Sequence, residues 1–193
     1  KKQRIKIVTN SKATHAELNK LLGSNGWLSR NVVKGKSDIV VYFSGHGIAN
    51  QKDQNTGILP FDVDPNYSVG ITLKNLYKDL SKMNANSVTV YLDACFSGDS
   101  PKGMIVRATS GISVKALMPK KVDNLSILTA AQGDQFASWD EDAKMGLFTK
   151  NLLLALSGAA DGGEFGNGDG RVALGEVKRF LDDEMSYQAR RRY

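Results

Sequence analysis

Cysteine is almost absent from this chain. Cys95 stands alone, so no disulfide can form within the molecule and the fold does not rely on an oxidising compartment. Long apolar runs are also missing: nothing approaches the 18 consecutive apolar residues of a membrane span. The first residues, KKQRIKIV, carry neither an initiator Met nor the apolar stretch of a signal peptide, and read as the start of an excised or processed piece. No GxxxxGK[ST] or GxGxxG follows an apolar run, which removes the usual phosphate loops and argues against a flavodoxin-like nucleotide or flavin binder. The net charge is +6, but the basic residues are scattered in small clusters with no aromatic stripe and no zinc-finger spacing. Solvated surface charge explains them better than nucleic acid does. A cytoplasmic address is favoured, with no segment that states it.

What is present is an alternation of two periods. RIKIV (4–8), SDIVVYFSG (37–45), SVTVYLDAC (87–95) and LSILTAA (125–131) read as strands. The near-continuous apolar run at 37–45 predicts a central parallel strand covered on both faces. Between and after them, residues 14–22, 72–83, 147–158 and 175–192 carry helical periodicity, with Thr14 as an N-cap and Gly158 as a stop. Strand and helix in alternation mean one α/β domain, residues 1–193, around a mostly parallel sheet with helices on both faces. In such sheets the site lies beyond the carboxyl ends of the strands.

Two of those strand ends carry unusual chemistry. The first delivers FSGHG, with His46 between two glycines, and the second DACFSG, with Cys95. One short crossover separates the strands, so they should be parallel neighbours with His46 and Cys95 facing each other. A free thiol with a pKa near 8.5 is only a few per cent thiolate at neutral pH, and the thiolate is the nucleophile. A nearby imidazole can take the thiol proton and return it to the leaving amine. The backbone N–H groups of Gly47 and Cys95 are candidate oxyanion donors; losing one such donor typically costs about two to three orders of magnitude in rate. Asp93 is two residues before Cys95, on the same strand face. An unpaired acid there would raise the thiol pKa, and it makes sense where a substrate Lys or Arg at P1 brings the countercharge. The plainer role for Asp93 is a strand-end cap.

SGHG followed by DACFSG resembles the paired signature of the caspase-like cysteine peptidases, and within them the metacaspase and bacterial orthocaspase branch. The spacing from His46 to Cys95 is similar to the roughly 50 residues of the animal-caspase pattern. The resemblance runs from about Ile5 to the C-terminal helix and includes ILPFDVDP (58–65) and LSILTAAQGDQFASW. It implies a caspase–haemoglobinase fold and an endopeptidase with His46 as base and Cys95 as nucleophile. Animal caspases carry Gln before Ala-Cys; Asp93 in its place implies a basic P1 residue rather than Asp. Asp134, in AQGDQ, resembles a second acid of the same pocket. Legumain-like enzymes share the His/Cys order but not this motif pair. The other alternative is a caspase-fold binding or regulatory module without turnover.

Further expectations come with the resemblance. Relatives are cut after the Cys-bearing portion, and the loop 99–123 offers Lys102, Arg107, Lys115, Lys120 and Lys121 as self-cleavage sites. The chemistry requires no cofactor, but calcium activates some metacaspase-like enzymes, so NGDGRVALGE (167–176) matters. With Gly170 at position 6 of a calcium loop, Asn167, Asp169 and Glu176 fall at positions 3, 5 and 12, while Phe165 at position 1 cannot ligate. A Gly-rich turn before a helix is the better reading. The family sheet also begins with a strand and helix preceding the segment that resembles RIKIV. An N-terminal segment, separate or cleaved, is therefore an expected partner completing the sheet, beside a substrate with basic P1.

Overall fold

The structure is a computed structural model, and it describes residues 4–49, 55–68, 70–94, 96, 99–100, 103–104, 124–130, 139–140 and 142–192. Three parallel strands form the main sheet: β1 (Asp38–Ser44), β5 (Ser87–Asp93) and β8 (Leu125–Thr129), in the order β1-β5-β8. A smaller antiparallel sheet continues from the end of β1, made of β2 (Gly47–Ala49), β3 (Thr56–Ile58) and β4 (Ile71–Thr72). Two short hairpins complete the strands: β6 (Asp99–Ser100) with β7 (Gly103–Met104), and β9 (Trp139–Asp140) with β10 (Met145–Gly146). The helices are α1 (His15–Leu22), α2 (Trp27–Asn31), α3 (Leu73–Ser81), α4 (Leu147–Leu154) and α5 (Leu174–Arg192).

Strand alternation sorts the core into two layers. Val88, Val90 and Leu92 of β5 point to one face, where Leu18, Leu73, Leu76, Tyr77 and Leu80 of α1 and α3 meet them. Tyr91 and Leu128 point to the other face, against Phe148 and Leu152 of α4 and Val177, Phe180 and Leu181 of α5. Helices cover both faces, as the alternation of periods predicts. Leu80 and Leu92 are fully buried, and truncating such a side chain to Ala typically costs about 2–5 kcal/mol. The Thr14 hydroxyl accepts from the Glu17 N–H and Thr72 caps α3 through the Asn75 N–H, so these two helices start where a side-chain acceptor is available. Downstream, α4 runs into a wider turn, Ala155–Ala159, in which Gly158 takes φ +115°, a conformation that ends the helix where the sequence places its stop.

Two expectations are corrected. Residues 4–8 are not a strand: the segment is extended coil with Ile5 and Ile7 exposed at 68% and 81%. A strand exists only through ladder partners, and none of the described strands pairs with it. Likewise β1 is not a strand covered on both faces. It stands at the edge of the described sheet, with Ile39 buried but Val40 and Tyr42 exposed at 67% and 47%. Its apolar run is continuous, yet only one face and one edge are occupied among the described residues.

Candidate active site

The parallel register decides how the two motifs meet. Ser44 lies opposite Asp93, and the Gly45 N–H donates to the Asp93 carbonyl at 3.2 Å, carrying the ladder one residue past β1. The chain beyond Gly45 then enters the antiparallel sheet. The His46 carbonyl accepts from the Leu59 N–H at 2.9 Å, and Gly47 pairs with Ile58. His46 is therefore held on both sides by backbone bonds while its side chain stays exposed at the junction of the two sheets. Because Leu59 donates to His46, the Gly47–Ile58 pair occupies a non-hydrogen-bonded position of the ladder, and the Gly47 N–H points away from β3. Sequence inspection misses this second sheet, whose strands are two or three residues long.

Asp93 ends β5 as a buried carboxylate, 6% exposed. Its surroundings come from the start of α4. The Thr149 hydroxyl makes a short hydrogen bond to Asp93 Oδ2. Gly146, the residue before α4, packs directly on it: a Cβ there would stand 2.8 Å from Asp93 Cγ, 2.9 Å from Oδ1 and closer still to Oδ2. Burial pushes the Asp93 carboxyl above its ordinary value, opposed by the side chain and backbone of Thr149. Tyr42 of β1 reaches the same group, its hydroxyl 2.7 Å from Thr149 Oγ1. Behind them the carboxylate of Asp140 takes Lys150 Nζ at 2.8 Å and the Ala143 N–H at 2.8 Å, which hold it below the usual carboxylate range. Gly146, Thr149 and Tyr42 carry no motif. The available signal was indirect: Gly146 has no side-chain acceptor for the first N–H groups of α4, so that helix needs an acceptor from elsewhere.

Cys95 lies outside the described residues, as do Asp134, Lys102, Arg107, Lys115, Lys120 and Lys121. Its neighbours Ala94 and Phe96 are buried in the core. The caspase-domain family model of the peptidase C14 group matches residues 4–187, nearly the whole chain. The chain belongs to the caspase family. A comparison with curated proteins finds no match. Membership settles the fold as caspase-like, an α/β domain with a parallel sheet between helices, and supports cysteine peptidase chemistry in general.

The calcium candidates of this caspase domain are used otherwise. Glu176 accepts from the Asn167 N–H at 3.2 Å and the Ala173 N–H at 2.8 Å. Asp169 accepts from the Arg171 N–H, and the two oxygens of Asp161 take the N–H groups of Asp169 and Gly170. Phe165, at the first loop position, sets its ring edge-on to Phe180 at 5.2 Å. The loop is closed by its own backbone donors, and among the described residues no cluster of three His, Cys, Asp or Glu could hold a metal. His15 lies on the exposed side of α1 beside Asn19, away from the motifs. Among the described residues no helix is long and apolar enough to cross a membrane.

Proposed function

We propose that this chain is a cysteine endopeptidase of the metacaspase-like branch that cleaves after Arg or Lys. Cys95 Sγ attacks the scissile carbonyl carbon while the His46 imidazole takes the thiol proton. The oxyanion is received by backbone N–H groups of Gly47 and Cys95. Collapse breaks the C–N bond, the imidazolium protonates the departing amine, and a thioester remains. Water, deprotonated by His46, then hydrolyses the thioester and frees the thiol. No cofactor is needed for these steps.

The observation that carries the reading is the register of β1 on β5. Ser44 opposite Asp93 sets the ends of β1 and β5 side by side, each two residues before its motif residue in the sequence, and this supports the dyad. The direction of the Gly47 N–H supports an oxyanion role, and the buried charge of Asp93 supports a basic P1. At an effective dielectric near 20, a P1 cation 4 Å from that carboxylate gains about 4 kcal/mol before desolvation. Asp134 is proposed as a second acid for the same cation. The test is labelling with a peptidyl acyloxymethyl ketone bearing Arg at P1: one adduct per chain, mapped to Cys95 and slowed in His46→Ala, is expected. An Asp reagent that labels equally fast refutes the specificity, and no adduct in the native protein refutes the dyad.

Several associated readings are proposals of the same kind. Self-cleavage after Lys102, Arg107, Lys115, Lys120 or Lys121 would give two fragments by intact mass, and one unchanged species rejects it. Any calcium response is assigned away from Asn167, Asp169 and Glu176, whose side-chain oxygens already accept N–H groups of the loop; calorimetry in which Asp169→Asn abolishes calcium binding would reverse that assignment. A segment beyond the described residues is proposed to add a strand to β1. The exposed Val40 and Tyr42, and the exposed Ile5 and Ile7, support it. Fast amide exchange along β1 relative to β5 is the expected signature of the open edge.

A further inference from the structure

Three elements converge on one carboxylate, and the hydrogen bonds between them have a fixed direction. The Thr149 hydroxyl owns a single proton and gives it to Asp93. Its contact with Tyr42 at 2.7 Å must therefore run the other way, with the Tyr42 O–H donating to Thr149 Oγ1. The donors are Tyr42 on β1 and then Thr149 on α4, and the terminal acceptor is Asp93 on β5. The Thr149 backbone also favours the charged form of the same carboxylate, and Gly146 closes it from the side.

An ionised carboxylate offers about four lone-pair sites. The Thr149 hydroxyl occupies one, through a bond that rotation of the carboxylate would break. We infer that Thr149, itself oriented by Tyr42, is a positioning residue for P1 recognition: it locks the Asp93 carboxylate so that its remaining lone pairs meet the guanidinium or ammonium of the substrate. This rests on the reading of Asp93 as the P1 selector. Thr149 does not touch the scissile bond; it acts through Asp93. The strand that carries His46 and the strand that carries Cys95 are thereby tied to the start of α4 through the residue that reads the substrate.

The discriminating readout is the preference for Arg over its uncharged isostere citrulline at P1, which a purely structural cap would not move. Thr149→Val should lower that preference about tenfold, through KM more than kcat. Thr149→Ser, which restores the hydroxyl, should keep it near the wild-type value, and Tyr42→Phe should lower it about twofold. The same ratios are to be read without turnover, as the calorimetric affinities of peptides ending in Arg or citrulline for the Cys95→Ala protein. An unchanged preference in Thr149→Val, with only a lower melting temperature, overturns the inference and leaves Thr149 a helix-start residue. A wild-type protein that does not distinguish Arg from citrulline, or an Asp93→Asn variant that keeps the distinction, refutes the Asp93 reading itself and removes the inference with it.

Discussion

Gly146→Ala is the sharpest perturbation of the carboxylate seat. Gly146 has φ −59° and ψ 141°, a backbone that any residue adopts, so alanine meets no conformational penalty there. The penalty is steric. The added methyl would lie 2.8 and 2.9 Å from Asp93 Cγ and Oδ1, inside the 3.0 Å that real Cβ atoms keep, and nearer still to Oδ2. The carboxylate cannot swing aside without giving up the bond from the Thr149 hydroxyl. Overpacking of this kind costs about 1–3 kcal/mol, and in a chain of this size each kcal/mol lowers the melting temperature by roughly 2–4 °C. A fall of roughly 2–12 °C in calorimetry is the expectation, with loss of Arg-peptide cleavage at temperatures where the protein is still folded. The control is the cycle with Asp93→Ala, which deletes the three atoms that the methyl would strike. In that background Gly146→Ala should cost almost nothing. An equal loss with and without the carboxylate would refute the reasoning, because the damage would then come from elsewhere in the hairpin.

Two further outcomes follow from buried polar groups. Because burial raises the Asp93 carboxyl, the folded state holds its proton more tightly than the unfolded chain does. Stability from this group is therefore greatest in acid and falls as pH rises from the ordinary carboxylate value through the raised one. Asp93→Asn should lack that slope, so its melting temperature relative to the wild type should climb with pH; parallel curves would contradict the burial argument. The Tyr77 hydroxyl is buried with no hydrogen-bond partner among the described residues, and burial raises its pKa. An unsatisfied group of this kind costs about 1–3 kcal/mol, so Tyr77→Phe should leave thermal stability equal or higher, and a clear drop would mean that the hydroxyl has a partner.

The parallel pair β1 and β5 was legible because each is a seven-residue strand rich in apolar residues that ends in distinctive chemistry, and the pairing of FSGHG with DACFSG located both strand ends at once. Helices α1, α3, α4 and α5 were legible from periodicity, and α1 also from Thr14 at its start; the five-residue α2 was too short to show a period. What could not be read is whatever depends on partners. RIKIV has the composition of a strand, but a strand forms only against another, and none of the described strands is beside it. The exposure of Val40 and Tyr42 has the same origin: composition reports what a residue could bury, not what stands next to it. The carboxylate seat was hidden for a different reason. Thr149 and Gly146 are more than 50 residues from Asp93, and neither residue type is unusual at the start of a helix. Only the Asp93 side of that contact carried a signal, in the form of an acid that needed a reason to be at a strand end. Both the cap and the P1 selector were open for it. The structure gives the carboxylate one partner, the Thr149 hydroxyl, and this partner and a substrate cation are compatible because a carboxylate can serve two clients.

The central claim, a Cys95–His46 dyad reading a basic P1 through Asp93, is tested most directly by hydrolysis of two matched fluorogenic peptides, one with Arg and one with Asp at P1. The wild-type protein and its Cys95→Ala variant are compared. The account predicts cleavage of the Arg peptide alone and its complete loss in the variant. Cleavage of the Asp peptide, or turnover that survives without Cys95, would contradict it.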